Sequence, residues 1–262
     1  MDLDERCVAM LAELGVRLWP RAPIAEVAEV AEAAGLAGAV APLGIRVEAT
    51  GGEPASAAPA RATARDADTA SMDWPTLRVA VTGCTACGLC EGRTKAVFGA
   101  GHERAHWMII GEAPGDEEDA RGEPFVGKAG QLLDNMLAAL GLSRQAGPPE
   151  RQVFIAHVLK CRPPKGRNPS REDLAQCAPF LERQVALVRP RMILAMGRLA
   201  AVLLAGDEPL GRLRGRVHSY LGVPTVVTYD PAYLLRNPTD KARAWDDLCM
   251  AHEALQATSG AD

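Results

Sequence analysis

The sequence predicts an α/β protein, a parallel four-stranded sheet between helices in an αβα sandwich. Three observations point there. Short apolar runs alternate with amphipathic stretches of helical period. The chain has 262 residues, 48% of them hydrophobic, enough for one substantial core. The segments that look chemical all follow an apolar run. HWMIIG (106–111) reads as the first buried strand, followed by a loop and a helix over 127–140. VFIAHVL (153–159) is the second, leading through a proline-rich loop to a helix over 171–187. RMILAMG (191–197) and the helical RLAAVLLAG come next, then the strand VPTVVTY (223–229) and a last helix over 240–256. Helices between successive strands require crossover connections, hence parallel pairing with both faces covered. Ligands of such sheets bind at the carboxyl ends of strands. Here those ends carry GEAPGD, His157 through Cys161, Met196-Gly197, and Tyr229-Asp230-Pro231.

This domain is expected over residues 73–257, with 258–262 a disordered tail. Ahead of it, 1–49 form an appendage with helical spacing at 3–16 and 24–39. Residues 50–72 are rich in Ala, Gly, Pro, Thr and Ser and read as a flexible linker. No apolar run is long enough for a bilayer and no charged-then-apolar leader precedes a cleavage site. A cytoplasmic monomer with no membrane association is the expectation. The formal charge of −4 is unevenly spread: residues 1–75 hold 12 acidic and 6 basic side chains, leaving the remainder net positive. Residues 151–171 hold six cations (Arg151, Lys160, Arg162, Lys165, Arg167 and Arg171) and no carboxylate. Such a run suits phosphate contact as well as a solvated face.

Four cysteines bracket the central region: Cys84 and Cys87 in CTAC, Cys161 in KCRPP, and Cys177 in AQCAP. Four thiolates on one domain suit structural zinc or a [4Fe–4S] cluster, and spacing alone does not choose. Cys7, Cys90 and Cys249 have no matching pattern and read as incidental thiols.

Four blocks in order, CTACGLCEGRTKAVFGAG, GEAPGDEEDARGEPFVGKAGQLLDNML, VFIAHVLKCRPPKGRNPSREDLAQC and DPAYLLRNP, resemble the family 4 iron–sulfur uracil-DNA glycosylases over roughly residues 78–250. The resemblance implies a uracil-DNA glycosylase-like fold and a [4Fe–4S] cluster on Cys84, Cys87, Cys161 and Cys177. It implies DNA containing uracil or another deaminated base as partner, with the base flipped into a closed pocket. Gly111, Glu112 and Ala113 would approach the base and Phe125 would stack on it. His157 and Asp230 would meet its polar edge. Glu112, Glu118 and Asp230 are the catalytic candidates, one of them positioning water or the sugar cation. Lys165, Arg167 and Arg171 would contact phosphates, and Leu235 and Arg236 would wedge into the vacated stack.

Two positions depart from the family pattern. His157 stands where the family has Asn, and Asp230 where it has His. A neutral His carries its donor and acceptor on opposite sides of the ring, unlike an amide. An ionised Asp230 only accepts hydrogen bonds, where a donor would stabilise the departing base anion. Three activities stay open: uracil excision with compensated chemistry; altered base choice toward hypoxanthine or xanthine through a hydrogen-bonded His157–Asp230 pair; and a catalytically impaired DNA-binding protein.

Overall fold

The computed structural model describes residues 64–165, 167–205 and 208–259. The expected appendage at 1–49 and the end of the expected tail lie outside them. Among the described residues a six-stranded sheet runs in the order β1-β3-β2-β4-β6-β5. Its strands are β1 (Ala100–Gly101), β2 (Trp107–Gly111), β3 (Val153–His157), β4 (Met192–Met196), β5 (Val217–Tyr220) and β6 (Val223–Thr228). The four expected strands are the central ones, paired parallel throughout. The sheet is nevertheless mixed, because β1 and β5 pair antiparallel at the two edges. β5 returns to β6 through the short turn after Tyr220, which permits antiparallel pairing without a crossover, whereas β1 pairs with β3, from which β2 and two helices separate it in the chain.

β2, β3 and β4 are buried along their whole length, as expected of strands covered on both faces. Alternation then divides the core in two. Met108, Ile110, Phe154 and Ile193 point to one layer with Leu77, Phe180 and Leu181. Trp107, Ile109, Ile155 and Leu194 point to the other with Leu133, Leu137 and Trp245. The first layer is closed by α1 (Ala64–Ser71), α2 (Trp74–Thr82) and α5 (Arg171–Val188); the second by α4 (Gly127–Ala139) and α9 (Lys241–Ser259). Short helices α3 (Asp116–Arg121), α6 (Arg198–Ala205), α7 (Leu210–Leu213) and α8 (Pro231–Arg236) complete the chain.

The expected linker at 50–72 needs correction at its end, since 64–71 form α1 and Thr69 is buried. Alanine is the best helix former, and α5 supplies the surface that a lone Ala-rich stretch lacks. The domain therefore begins ahead of Asp73. Asp73 itself caps α2, its Oδ1 accepting the Thr76 N–H at 3.0 Å. The last helix likewise runs past 257, to Ser259.

Candidate functional site

The strand order places the reversal of winding between β2 and β4, where doubly wound sheets open a crevice. Glu112, directly after β2, reaches into it. Its Oε1 accepts the Leu199 N–H at 2.8 Å, at the start of α6. Gly197 makes room: its φ is +91°, and a Cβ there would lie 2.6 Å from the Glu112 carboxyl carbon. One strand over, a cleft of about 530 Å³ opens above the ends of β2, β3 and β6. Glu112, Ala113, Glu118, Phe125, His157, Asp230 and Arg236 all line it. The structure thus gathers every base-contacting candidate except Gly111 on the wall itself, and Gly111 lies beneath. Gly111 pairs in register with His157. A Cβ on it would lie 2.5 Å from His157 Nδ1 and 2.6 Å from Phe125 Cζ, so the close approach requires glycine.

Glu118 organises this wall. It sits on α3, whose first turn holds Asp116, Glu117, Glu118 and Asp119, charges that favour a helix N-terminus. The acidic run is therefore more than a solvated face: Asp119 is buried and both its oxygens accept the Thr94 N–H at 2.9 Å. Glu118 Oε2 accepts the Gly115 N–H at 2.6 Å, and Oε1 accepts from the Phe125 N–H and from His157 Nε2, the latter at 2.9 Å. Phe125 occupies the left-handed region at φ +49°, uncommon for an aromatic residue. Glu118 holds that backbone from one side. Gly130 of α4 lies against the Phe125 carbonyl on the other, where a Cβ would meet the oxygen at 1.9 Å. The Phe125 ring is thereby set against the His157 ring, centroids 4.9 Å apart.

The expected His157–Asp230 hydrogen bond is not formed. His157 pairs with Glu118, and Asp230 caps α8, its Oδ1 accepting the Ala232 N–H at 2.8 Å. An Asp before Pro231 is a strong N-cap, and the short side chain turns back to its own helix. His157 is 2% exposed, and its Nδ1 has no hydrogen-bond partner.

Burial pushes the Glu118 carboxyl up, but the His157 hydrogen bond and charge and the Gly115 and Phe125 amides outweigh it, leaving it below the usual range. Burial pushes Glu112 and Asp230 up, against opposing backbone hydrogen bonds. A depressed carboxyl stabilises the fold above its unfolded pKa of about 4.3 and stops doing so as pH falls through the folded value. Glu118→Gln puts an amide donor against N–H groups and is expected to cost about 1.5–3 kcal/mol at about pH 7 and much less at about pH 3. Urea midpoints at the two pH values check this.

The four expected cluster cysteines gather at the end of the first core layer. Cys161 and Cys177 are buried in it, with Cys84 and Cys87 packed against its edge. Burial pushes the Cys87, Cys161 and Cys177 thiols up, Cys177 to about 11, and neighbouring thiols add to the effect. Donors already aim at two sulfurs. Arg93 Nη1 lies 3.1 Å from Cys161 Sγ and 2.7 Å from the Cys84 carbonyl oxygen, and the Lys160 N–H lies 3.3 Å from Cys177 Sγ. Among the described residues no three Cys, His, Asp or Glu side chains stand together tightly enough to hold a single metal ion. Arg93 was not singled out in the sequence; its place six residues after Cys87 is the signal that marks it.

The basic run divides. Lys160 turns inward, fully buried, its Nζ donating to the His157 carbonyl at 2.7 Å and to Gln184 Oε1 at 2.6 Å. Lys165 and Arg162 both reach Asp116, at 3.1 and 2.8 Å, and Arg167 reaches Asp173 at 2.9 Å. Lys165 remains 82% exposed and Arg171 opens α5. Arg236 lines the cleft, and Leu235, its neighbour in sequence on α8, is 42% exposed. No helix among the described residues is long and apolar enough to cross a membrane.

A cleft over the strand ends of a doubly wound sheet, walled by an aromatic ring and carboxylates and rimmed by an exposed arginine, has the build of a site that takes in a planar ring from an extended polymer. The chain belongs to the uracil DNA glycosylase superfamily, whose family pattern matches residues 98–249. Type-4 members are among the proteins it is similar to. It is 39% identical over 188 residues to the type-4 uracil-DNA glycosylase of Pyrobaculum aerophilum, covering 68% of this chain and 93% of that protein. It is 38% identical over 167 residues to the type-4 enzyme of Archaeoglobus fulgidus, covering 60% and 81%. It is 39% identical over 163 residues to that of Thermotoga maritima, covering 61% and 82%.

Proposed function

We propose that this chain is a DNA repair glycosylase that flips uracil out of DNA and hydrolyses its N-glycosidic bond, leaving an abasic site. The observation that carries the reading is the cleft itself. The Phe125 ring sits over Gly111 at its floor, the His157–Glu118 pair forms its wall, and Arg236 lines it, with the exposed Leu235 next to Arg236 in sequence. Leu235 and Arg236 fill the gap the flipped nucleotide leaves, and Phe125 stacks on the extruded base. Water attacks C1′, the C1′–N1 bond breaks with its electron pair on the base, and the water's proton passes to a carboxylate. Glu112 and Asp230, pushed up by burial, are better proton acceptors than free carboxylates. Glu118 positions His157 and Phe125. The test uses single- and double-stranded oligonucleotides containing uracil or hypoxanthine, followed by cleavage of abasic sites. Release from neither would overturn the reading.

Cys84, Cys87, Cys161 and Cys177 would hold the [4Fe–4S] cluster. Buried sulfurs with an arginine and a backbone amide aimed at them fit thiolates ligating a metal centre. Bound there, it supplies structural closure rather than chemistry of the reaction, tying 84–87 to the loop before α5. Cys87→Ser is expected to lower iron content and melting temperature together, whereas Cys90→Ser leaves iron intact. Stoichiometric zinc without iron in protein purified without oxygen would contradict this.

Lys165, Arg167 and Arg171 meet the phosphates in this reading, Lys165 and Arg167 exchanging their carboxylate partners for DNA. Each lost contact flattens the log–log salt slope of binding by about 0.7 to 0.9. An unchanged slope in the triple alanine variant would return the loop to a solvated face.

A further inference from the structure

The interior of the cleft is made of hydrogen-bond acceptors. Glu112, Glu118 and Asp230 stand inside it, half-buried, while its lysine and arginine, Lys128 and Arg236, are exposed at its edge. His157 offers the cleft no uncommitted donor: its Nε2 is taken up by Glu118, and its Nδ1 is buried toward Gly111 with no hydrogen-bond partner. One wall is the face of an aromatic ring, Phe125. Carboxylates and an aromatic face together select positive charge, since the ring's negative face attracts cations. They oppose the charge that builds on a departing uracil.

We propose that the cleft also excises purines carrying a fixed positive charge, the N-alkylated bases of which 7-methylguanine is the simplest. This rests on the glycosylase reading and names a second substrate class for the same site. The chemistry suits what the cleft holds. Alkylation at a ring nitrogen leaves the base cationic, so no donor is needed to stabilise its departure. Water attacks C1′ and the C1′–N9 electron pair passes into the cationic ring, which leaves neutral. The water's proton goes to Asp230 or Glu112 and then to solvent. At about 530 Å³ the cleft lies in the range of ordinary small-molecule sites, with room for a bicyclic base.

The test is single-turnover release from a duplex oligonucleotide bearing one 7-methyl-2′-deoxyguanosine, beside a uracil duplex and a blank without enzyme. Release at least about tenfold above spontaneous depurination is expected. Asp230→Asn keeps the cap of α8, because Asn caps as well as Asp. It removes the charge and puts an amide donor in its place, with Glu112 left to take the water's proton, so it should cut release of the charged purine about tenfold or more and raise release of uracil. Phe125→Leu should lower the charged purine more than uracil. Uracil release with 7-methylguanine only at the spontaneous rate would overturn this inference and leave the proposed function standing. Release of neither base would sink both. Equal loss of both in Asp230→Asn would make Asp230 a base for the water rather than a charge filter, and would also overturn it.

Discussion

Replacing Asp230 by His together with His157 by Asn is expected to raise single-turnover uracil release at least about tenfold. Asp230 sits in the cleft with only acceptor oxygens, one of them committed to the Ala232 N–H. A departing uracil gathers negative charge, and a donor at that place stabilises it where a carboxylate repels it. The second change swaps the His157 ring for an amide with donor and acceptor side by side, matching the N3–H and O4 edge of uracil. The double variant has a cost of opposite sign. His is a poor N-cap, so α8 loses about 1 kcal/mol, and Glu118 loses its imidazole partner. A faster enzyme that melts earlier is therefore the signature. If the unaltered protein already matches the variant on uracil, these two positions do not govern the chemistry.

Gly111→Ala is expected to lower uracil release about a hundredfold or more, comparable with removing a reacting group. The added methyl would fall 2.5 Å from His157 Nδ1 and 2.6 Å from Phe125 Cζ, inside contact distance of both rings. Neither ring can yield cheaply. His157 is tied to Glu118, and Phe125 is fixed by its own left-handed backbone between Glu118 and Gly130. The rings must move into the space the base requires, and displacement of about 1 Å suffices for such a loss. Overpacking costs about 1–3 kcal/mol of stability as well. Rates measured well below the melting transition separate the two effects; a variant that melts lower yet keeps its rate would show that the floor of the cleft is not where Phe125 and His157 act.

The central strands were legible because β2 and β4 are uninterrupted apolar runs and β3 and β6 are predominantly apolar and β-branched or aromatic, as a sheet covered on both faces requires. The edges were not. β1 is Ala100–Gly101 alone, and VHSY at 217–220 has no apolar run to mark it as β5. α1 was hidden by small side chains that look like linker until α5 gives them a neighbour. In the site, the motifs located the wall but not its wiring. Glu118 and His157 are 39 positions apart, and nothing local distinguishes Glu118 from the three other acids of its turn. Lys160 read as one more cation in a basic run, yet it is the one that the bend after β3 turns into the core, where Gln184 and the His157 carbonyl receive it. Asp230 was read for its chemistry alone, and its position before proline, the signature of a cap, decided its orientation.

The Glu112 carboxylate at the first turn of α6 bears on which molecules the protein ignores. In doubly wound folds the crevice at the reversal of winding, facing a helix N-terminus, is the natural seat for a free nucleotide's phosphate. Here the chain has plugged that seat with its own anion, and Gly197 is shaped to admit it. Mononucleotides and inorganic phosphate, abundant in any cell, find no vacancy among those amide groups and meet a negative charge instead. The cleft lined by Phe125 and His157 opens beside it, toward β3. On the proposed function, a millimolar nucleotide added to an oligonucleotide assay should leave the rate unchanged.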